Sequence, residues 1–396
     1  MKNRTPLALI FLTVFIDLLG FGILIPILPT FATVVLKMDE TAIGFVLAAY
    51  SFMQFVFNPL FGKLSDKYGR RPLIIICLLL NALGYVIFAF THSFALLLIS
   101  RIVAGVGGSS VSVAMAYIAD ITTKENRVRG MGLIGAAFGL GFVFGPLIGG
   151  LLSKFGYEIT GFASAAFSFL AFLTTVFFLP ESNVNLQKSG DPKRKIMDID
   201  GLKKVFQHPS VGILIIFFFI QTFSMANIYG TFALIGFKIY HFTNLQNGYM
   251  YGILGMVSAI VQGGLLKYIS KYLNQKSLLK FGSVTMMLGL GLIPYGMNFA
   301  GLAIVVSFLS LGSGILQPTI LSLISTIAPD TEQGITLGTN QSMSALARVL
   351  GPFWGGFAFQ HLGYQWPFLT GAFFLIVIVA ASFFYIPRKL NLATHS

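Results

Sequence analysis

The sequence predicts an all-α membrane protein of twelve transmembrane helices in two pseudo-symmetric six-helix halves, and three observations carry that prediction. Apolar runs of about 20 residues succeed one another along the chain, each long enough to cross ~30 Å of hydrocarbon at about 1.5 Å per residue. Lysines and arginines gather in the connections between alternate runs. A glycine–proline pattern in the fifth run recurs 206 residues later in the eleventh.

Of 396 residues, 56% are hydrophobic, 14% aromatic and only 10% charged, whereas a soluble domain carries roughly 25% charged residues. The apolar surface must therefore face lipid. A net charge of +13 raises nucleic acid as a partner, but the cations sit in short clusters between apolar spans and not on one continuous face. The expected partner is the bilayer, with no nucleic acid. Cys77, the one cysteine, lies inside an apolar span, which excludes an internal disulfide framework and a zinc ligand set. Lys2 and Arg4 ahead of Leu7–Phe15 resemble the start of a signal peptide, yet the apolar run continues to Leu28 without a small-residue cleavage site. It reads as a retained first helix.

The spans fall near 7–29, 42–61, 73–91, 95–119, 131–152, 161–179, 210–237, 247–266, 278–297, 301–327, 334–360 and 365–386. The first carries Asp17, Pro26 and Pro29, and the second and third flank the tight basic loop Gly62–Arg71. Twenty-one of the 26 Lys and Arg lie in the even-numbered connections or the tails. Only Lys37, Lys154 and Lys238 occupy the opposite loops, so the positive-inside rule puts both termini in the cytoplasm. Residues 180–208 are the one long polar connection, a cytoplasmic linker between an N-terminal half, 1–179, and a C-terminal half, 209–396. Gly145-Pro146-x-x-Gly149-Gly150 recurs as Gly351-Pro352-x-x-Gly355-Gly356, and Gly132 and Gly338 keep the same offset. Two similar halves around a linker form the parallel-repeat arrangement of secondary transporters, with the substrate site at the repeat interface near mid-membrane.

Four motifs in order resemble the major facilitator superfamily, specifically its twelve-helix drug:proton antiporters, which include the tetracycline exporters. Asp17-Leu18-Leu19-Gly20-Phe21-Gly22 with Pro26 and Pro29 is similar to the first-helix motif, and Gly62 to Arg71 to the loop 2–3 motif G-x-L-x-D-x-x-G-R-R/K. Arg101-Ile102-Val103-Ala104-Gly105 resembles the fourth-helix arginine motif, and Gly141-x-x-x-Gly145-Pro146-x-x-Gly149-Gly150 the antiporter motif of helix 5. Tyr117-Ile118-Ala119-Asp120-Ile121-Thr122 is close to the tetracycline group. One departure stands out: those exporters place a further carboxylate in helix 3, where this chain has Gly84.

The resemblance implies an inner-membrane, proton-coupled exporter of a small amphipathic compound or drug, working by alternating access as a functional monomer. Protons are the expected coupling ion, with no other cofactor and no metal. Asp17 is the only carboxylate inside a span, so it should face the bundle interior and either bind a proton or pair with Arg101. It lies ~16 Å from the cytoplasmic end of its helix and Arg101 ~9 Å from the outer end of helix 4, which puts the two in reach. Asp66 and Arg70, four residues apart, share a face of a helical turn. The resemblance makes Gly62, Asp66, Gly69, Arg70, Arg71 and Asp120 a conformational latch, Asp66 meeting the N-terminus of helix 11 and Arg70 pairing with Asp120. The stripe Gly141, Gly145, Gly149 with Pro146 and Gly150, copied at Gly351 and Pro352, is expected to form a rocking pivot between halves. Arg348, Tyr50, Gln54, Asn58, Tyr117, Gln221, Asn227, Tyr229, Gln317, Asn340 and Gln341 are candidates for the substrate cavity. A rival reading is an importer, or a metabolite or siderophore carrier, of the same fold. A non-transporting receptor or enzyme is disfavoured, because no nucleophile–base pair and no G-x-x-x-x-G-K-[ST] loop occurs.

Overall fold

A computed structural model describes residues 4–182, 205–328 and 333–384. Most of the linker read at 180–208 lies outside the described residues, as do the basic tail residues Lys2, Arg388 and Lys389. Among the described residues every span is helical, the first and the fourth with a break, and there is no strand.

The first span is two pieces, α1 (Arg4–Leu24) and α2 (Ile27–Val34). Pro26 has no amide hydrogen and disfavours helical backbone at Ile25, so the helix breaks there and restarts with Pro29 in its first turn. α3 (Glu40–Tyr68) is capped by Asp39, whose carboxylate accepts the Ala42 N–H at 2.7 Å. It stops at Gly69, whose φ of 101° is open to glycine, and α4 (Arg70–Ala89) begins at the next residue. The fourth span splits at Gly108-Ser109 into α5 (Phe94–Gly107) and α6 (Ser110–Ile121). α7 (Lys124–Leu152) and α8 (Tyr157–Phe178) complete the first six spans.

The second six follow as α9 (Pro209–Lys238), then α10 (Asn244–Ile260) running through a π-turn at Val261–Leu265 into α11 (Leu266–Ile269). The π-turn contains Gly263-Gly264, the pair that weakens regular winding. α12 (Gln275–Leu292) and α13 (Phe299–Ile327) are capped by Asn274 and Asn298, and α14 (Gln333–His361) and α15 (Trp366–Phe384) end the bundle. Between α9 and α10, Tyr240 donates to the Ile293 carbonyl at 2.6 Å and accepts the Gly296 N–H at 2.8 Å. Burial pushes its hydroxyl above the usual tyrosine range, partly offset by the Gly296 bond.

Eleven of these rods are long and apolar enough to cross a membrane. The twelfth, α14, holds Thr336, Thr339, Asn340, Gln341, Ser342, Ser344 and Arg348, so the span read at 334–360 is the least apolar of the set. Outward faces carry large apolar side chains such as Phe177 at 72% and Phe373 at 64% exposure, the surface that lipid covers.

Two compact units emerge, Met1–Ile196 with Phe242–Gly252, and Met197–His241 with Ile253–Ser396. The segment 242–252, numbered with the second half in the sequence, thus groups with the first. In the first unit α1 packs along α7 and α8, and α4 along α5 and α8. In the second, α9 packs along α14 and α15, and α12 along α13 and α15. The internal repeat is therefore a repeat of packing partners as well as of residues.

Glycine makes the closest of these contacts. A Cβ at Gly145 would come 2.6 Å from the Gly22 Cα, and one at Gly141 2.9 Å from the Leu18 Cβ; at Gly149 it would collide with the Ile23 carbonyl. Gly351 repeats the arrangement against Ala226 at 2.8 Å, and Gly355 against Asn227. Three glycines of the stripe seat α7 on α1 inside one unit. Pro146 and Gly150 meet Gly248 and Asn244–Leu245, which the sequence numbers with the C-terminal half and which group with the first unit. Gly145→Val should lower purified-protein stability by about 1–3 kcal/mol through overpacking, read as a lower thermal midpoint in detergent. Gly338→Ala, at a position with nothing within 4 Å, should leave the midpoint unchanged.

Candidate functional site

The carboxylate of Asp17 is buried in the first unit and surrounded by neutral donors from three other helices. Asn81 Nδ2 of α4 lies 3.0 Å from both carboxylate oxygens, Ser110 Oγ of α6 donates to Oδ2 at 3.0 Å, and Ser168 Oγ of α8 donates to Oδ1 at 2.8 Å. Each bond relieves part of the cost of a carboxylate at membrane depth.

Arg101 is not among these partners, which corrects the pairing expected from helix depth. Its Nε donates to Ser100 Oγ at 3.1 Å, and its guanidinium carbon lies 5.6 Å and 5.7 Å from the ring centroids of Tyr85 and Phe88. Distance along a helix gives height in the membrane but not the direction a side chain takes around the axis, and here the arginine turns to aromatic faces. Its Nη2 and the Tyr85 hydroxyl are buried without a hydrogen-bond partner among the described residues.

At the opposite end of α4 the loop residues converge. Arg70 bonds Asp66 through Nη2 at 2.6 Å, Asp120 through Nε at 2.9 Å, and Ser65 Oγ through Nη1 at 2.6 Å. The planar fork of donors suits this multiple grip. The Arg70–Asp120 pair is as expected, while Asp66 grips the arginine of its own loop. Glu181, not singled out from the sequence, accepts the backbone N–H groups of Arg70 at 2.9 Å and Arg71 at 3.0 Å. A carboxylate thus caps α4 from a residue 111 positions away, where the helix dipole favours negative charge. Gly69 makes room for it: a Cβ there would sit 2.5 Å from Glu181 Oε2. Arg71 Nη2 donates to the Val176 carbonyl at 2.6 Å, and Ser182 Oγ to Asp120 at 3.0 Å. Gly62 has open space around its α-carbon and lends its carbonyl to Ser65 Oγ at 2.7 Å.

The cavity candidates divide. Tyr50 stacks on Phe21 with centroids 5.2 Å apart, and Gln54 Nε2 donates to the Tyr50 hydroxyl at 3.2 Å and the Gly108 carbonyl at 3.1 Å; both are half-buried, as is Asn58. Tyr117 is corrected: it is fully buried in an apolar core and donates to the Pro180 carbonyl at 2.9 Å. Gln221 and Asn227 are also buried in packing, Asn227 donating to the Pro367 carbonyl. Asn340 is buried, whereas Gln317 and Gln341 are exposed. Arg348, half-buried, donates from Nη1 to Ser344 Oγ at 2.9 Å, with Tyr229 in electrostatic range. At Gly84 a Cβ would come 2.7 Å from the Ala104 Cβ and 2.9 Å from the Ser100 carbonyl, so the helix-3 carboxylate of the tetracycline exporters has no room here.

Asn81, Ser110, Ser168 and Glu181 escaped sequence reading. The available signal was polarity inside an apolar run for Asn81 and a carboxylate at the very end of a span for Glu181; the two serines carry none, because lone serines are common in membrane helices.

A bundle of membrane-crossing helices in two repeat-like units, with a buried intramembrane carboxylate, is the architecture of a membrane transport protein. The chain belongs to the Major Facilitator Superfamily, which it matches over residues 10–352 and 268–394. It is 28% identical to multidrug resistance protein 2 of Bacillus subtilis (strain 168), over 99% of this chain and 98% of that one. It is 29% identical to the class E tetracycline resistance protein of Escherichia coli, over 98% and 97%. Among solved structures, the human organic anion transporter MFSD10 superposes with a TM-score of 0.72 at 25% identity, covering 96% of this chain and 100% of that one.

Glu181→Ala removes the cap of α4 and should cost about 0.5–2 kcal/mol, seen as a lower thermal midpoint. Glu181→Gln, whose amide oxygen still accepts one of the two N–H groups, should fall between the two.

Proposed function

We propose that this protein is a proton-coupled exporter of small amphipathic compounds, resident in the bacterial inner membrane with both termini in the cytoplasm and active as a monomer. The relatives named for multidrug and tetracycline resistance support efflux of small organic molecules, and the basic even-numbered loops support the orientation. The observation that carries proton coupling is the neutral cage of Asp17. Were Arg101 its partner, protonation would strand a buried guanidinium, a loss of about 3–5 kcal/mol for a broken buried pair. Hydroxyls and an amide tolerate either charge state, because a serine that donates to a carboxylate can turn and accept from a carboxylic acid. Asp17 can then take a proton on one face and release it on the other.

In this reading the cycle alternates access to the two faces, and the Arg70 cluster biases it toward the state closed on the cytoplasmic side. One proton entering down 100 mV is worth roughly 2.3 kcal/mol, about a fifty-fold gradient of coupled cargo.

Asp17→Asn, which keeps the size and cannot ionise, should abolish uphill dye export in proteoliposomes with an imposed pH gradient while downhill exchange persists. Concentration of dye against its gradient by that variant would sink the proton assignment. Asp66→Asn should slow turnover several-fold with cargo affinity within about twofold of wild type, since it loosens Arg70 and touches no cavity residue; single-turnover binding and steady-state flux separate the two.

A further inference from the structure

One atom of the Asp17 cage is left over. Asn81 Nδ2 lies 3.0 Å from both carboxylate oxygens, so the amide meets the acid through its donor alone. The amide oxygen, Oδ1, is buried and has no hydrogen-bond partner among the described residues. It rests against Gly107 of α5, where a Cβ would come 2.5 Å from it. Buried polar atoms without partners are rare and costly. The opposite orientation of the amide would turn its oxygen on a carboxylate that has no proton to give. An ionised Asp17 therefore imposes the arrangement seen, and the orphaned oxygen is its consequence.

A protonated Asp17 reverses the preference. The added proton turns one carboxylate oxygen into an O–H donor and leaves the other an acceptor, and a primary amide offers the matching pair. With Oδ1 accepting from the acid and Nδ2 donating to it, both groups are satisfied in one closed ring. The last torsion of an asparagine side chain is broad, so the amide can turn between the two arrangements. Ser110 and Ser168 answer the same change by turning a hydroxyl hydrogen, whereas Asn81 has to move a heavy atom away from Gly107. That glycine precedes the break at Gly108-Ser109, where the Gly108 carbonyl accepts from Gln54 at 3.1 Å and Ser110 reaches Asp17. Cys77 and Tyr85 of α4 are in electrostatic range of Asp17, and Arg101 of α5 turns to Tyr85 and Phe88. Asp120 of α6 and Glu158 of α8 stand about 15 Å along their helices from Ser110 and Ser168, as Arg71 of α4 does from Asn81. The charged residues of α7, between 124 and 129, precede Gly141 by about 18 Å or more, and α2 carries none.

We propose that Asn81 is the positioning residue that reads the charge of Asp17: its Oδ1 packs on Gly107 while the acid is ionised and accepts from the acid once it is protonated. Each proton taken up or released is thereby accompanied by a change in the contact between α4 and α5 beside the break in the fourth span. The proposal deepens the exporter reading and rests on it only for transport.

The test uses the full-length protein in nanodiscs, isotope-labelled at the asparagine side-chain carbonyls, and follows infrared difference spectra through a pH titration. The carboxyl band that Asp17→Asn lacks marks the protonation of Asp17. One asparagine carbonyl band should shift to lower frequency together with it, the sign of a newly accepted hydrogen bond, and should be missing from the difference spectra of Asp17→Asn and of Asn81→Leu. An amide that merely loses a charged acceptor at Nδ2 would shift to higher frequency. In proteoliposomes Asn81→Leu should slow uphill dye flux about tenfold, the rate equivalent of one lost buried hydrogen bond. Should the leucine variant fail to fold, the spectra of the wild type and Asp17→Asn decide the matter, because an asparagine with a packing role alone does not follow the titration. An unmoved or upward-shifted asparagine band, no Asp17 carboxyl band at any pH, or wild-type uphill flux in Asn81→Leu each overturns the proposal. A downward shift tied to Asp17 in a protein without proton-driven flux leaves the role of Asn81 standing and removes the exporter reading. Proton-driven flux with a silent asparagine band does the reverse.

Discussion

The carboxylate of Asp17 is buried within the first unit, where an isolated charge would be costly, so four helices converge on one side chain. α1 brings the acid, α4 the amide of Asn81, α6 and α8 the hydroxyls of Ser110 and Ser168. That demand constrains much else. α8 must lie against α1 for Ser168 to reach, and Gly20 permits it, since a Cβ there would sit 2.8 Å from the Ser164 carbonyl. The fourth span breaks at Gly108-Ser109 just before Ser110. Local irregularity and polar satisfaction at this level are two aspects of the same requirement.

Helix contact in lipid gains nothing from excluding water, so close backbone approach carries the association. The two units use the same device at matching places, Gly145 on Gly22 and Gly351 on Ala226. Ionic contacts are concentrated elsewhere, at the end of α4 where Arg70 meets Asp66 and Asp120. Glu181 fixes the backbone there while Arg70 fixes the side chains.

Much of this was legible before any coordinates. Twelve spans, the intramembrane Asp17 and the repeated glycine–proline pattern follow from hydropathy and motif spacing, because each depends on local sequence, while the Arg70–Asp120 pair follows from the family resemblance, since it joins residues 50 positions apart. What escaped depends on azimuth. Arg101 was at the right height to meet Asp17 and points to Tyr85 and Phe88 instead. Tyr117, Gln221 and Asn227 looked like cavity polar groups, but each is buried among packed helices. Polar residues in a span announce that they need partners; which helix provides them is decided by tertiary packing over separations of 64 to 151 residues.

Those separations also bear on how the protein is made. Asp17 is synthesised in the first helix, but its earliest partner, Asn81, follows 64 residues later and Ser168 only after 151. At about 5–20 residues per second, the nascent first helix waits roughly 3–13 s for one hydrogen bond and about 8–30 s for the last. A charged aspartate at the centre of a lone helix carries an insertion penalty of about 2.5–3.5 kcal/mol. The first span is nonetheless the most apolar of those able to cross a membrane, with a mean hydropathy of 2.6, so its apolar side chains hold it in the bilayer while its aspartate waits for the third and sixth spans to enclose it.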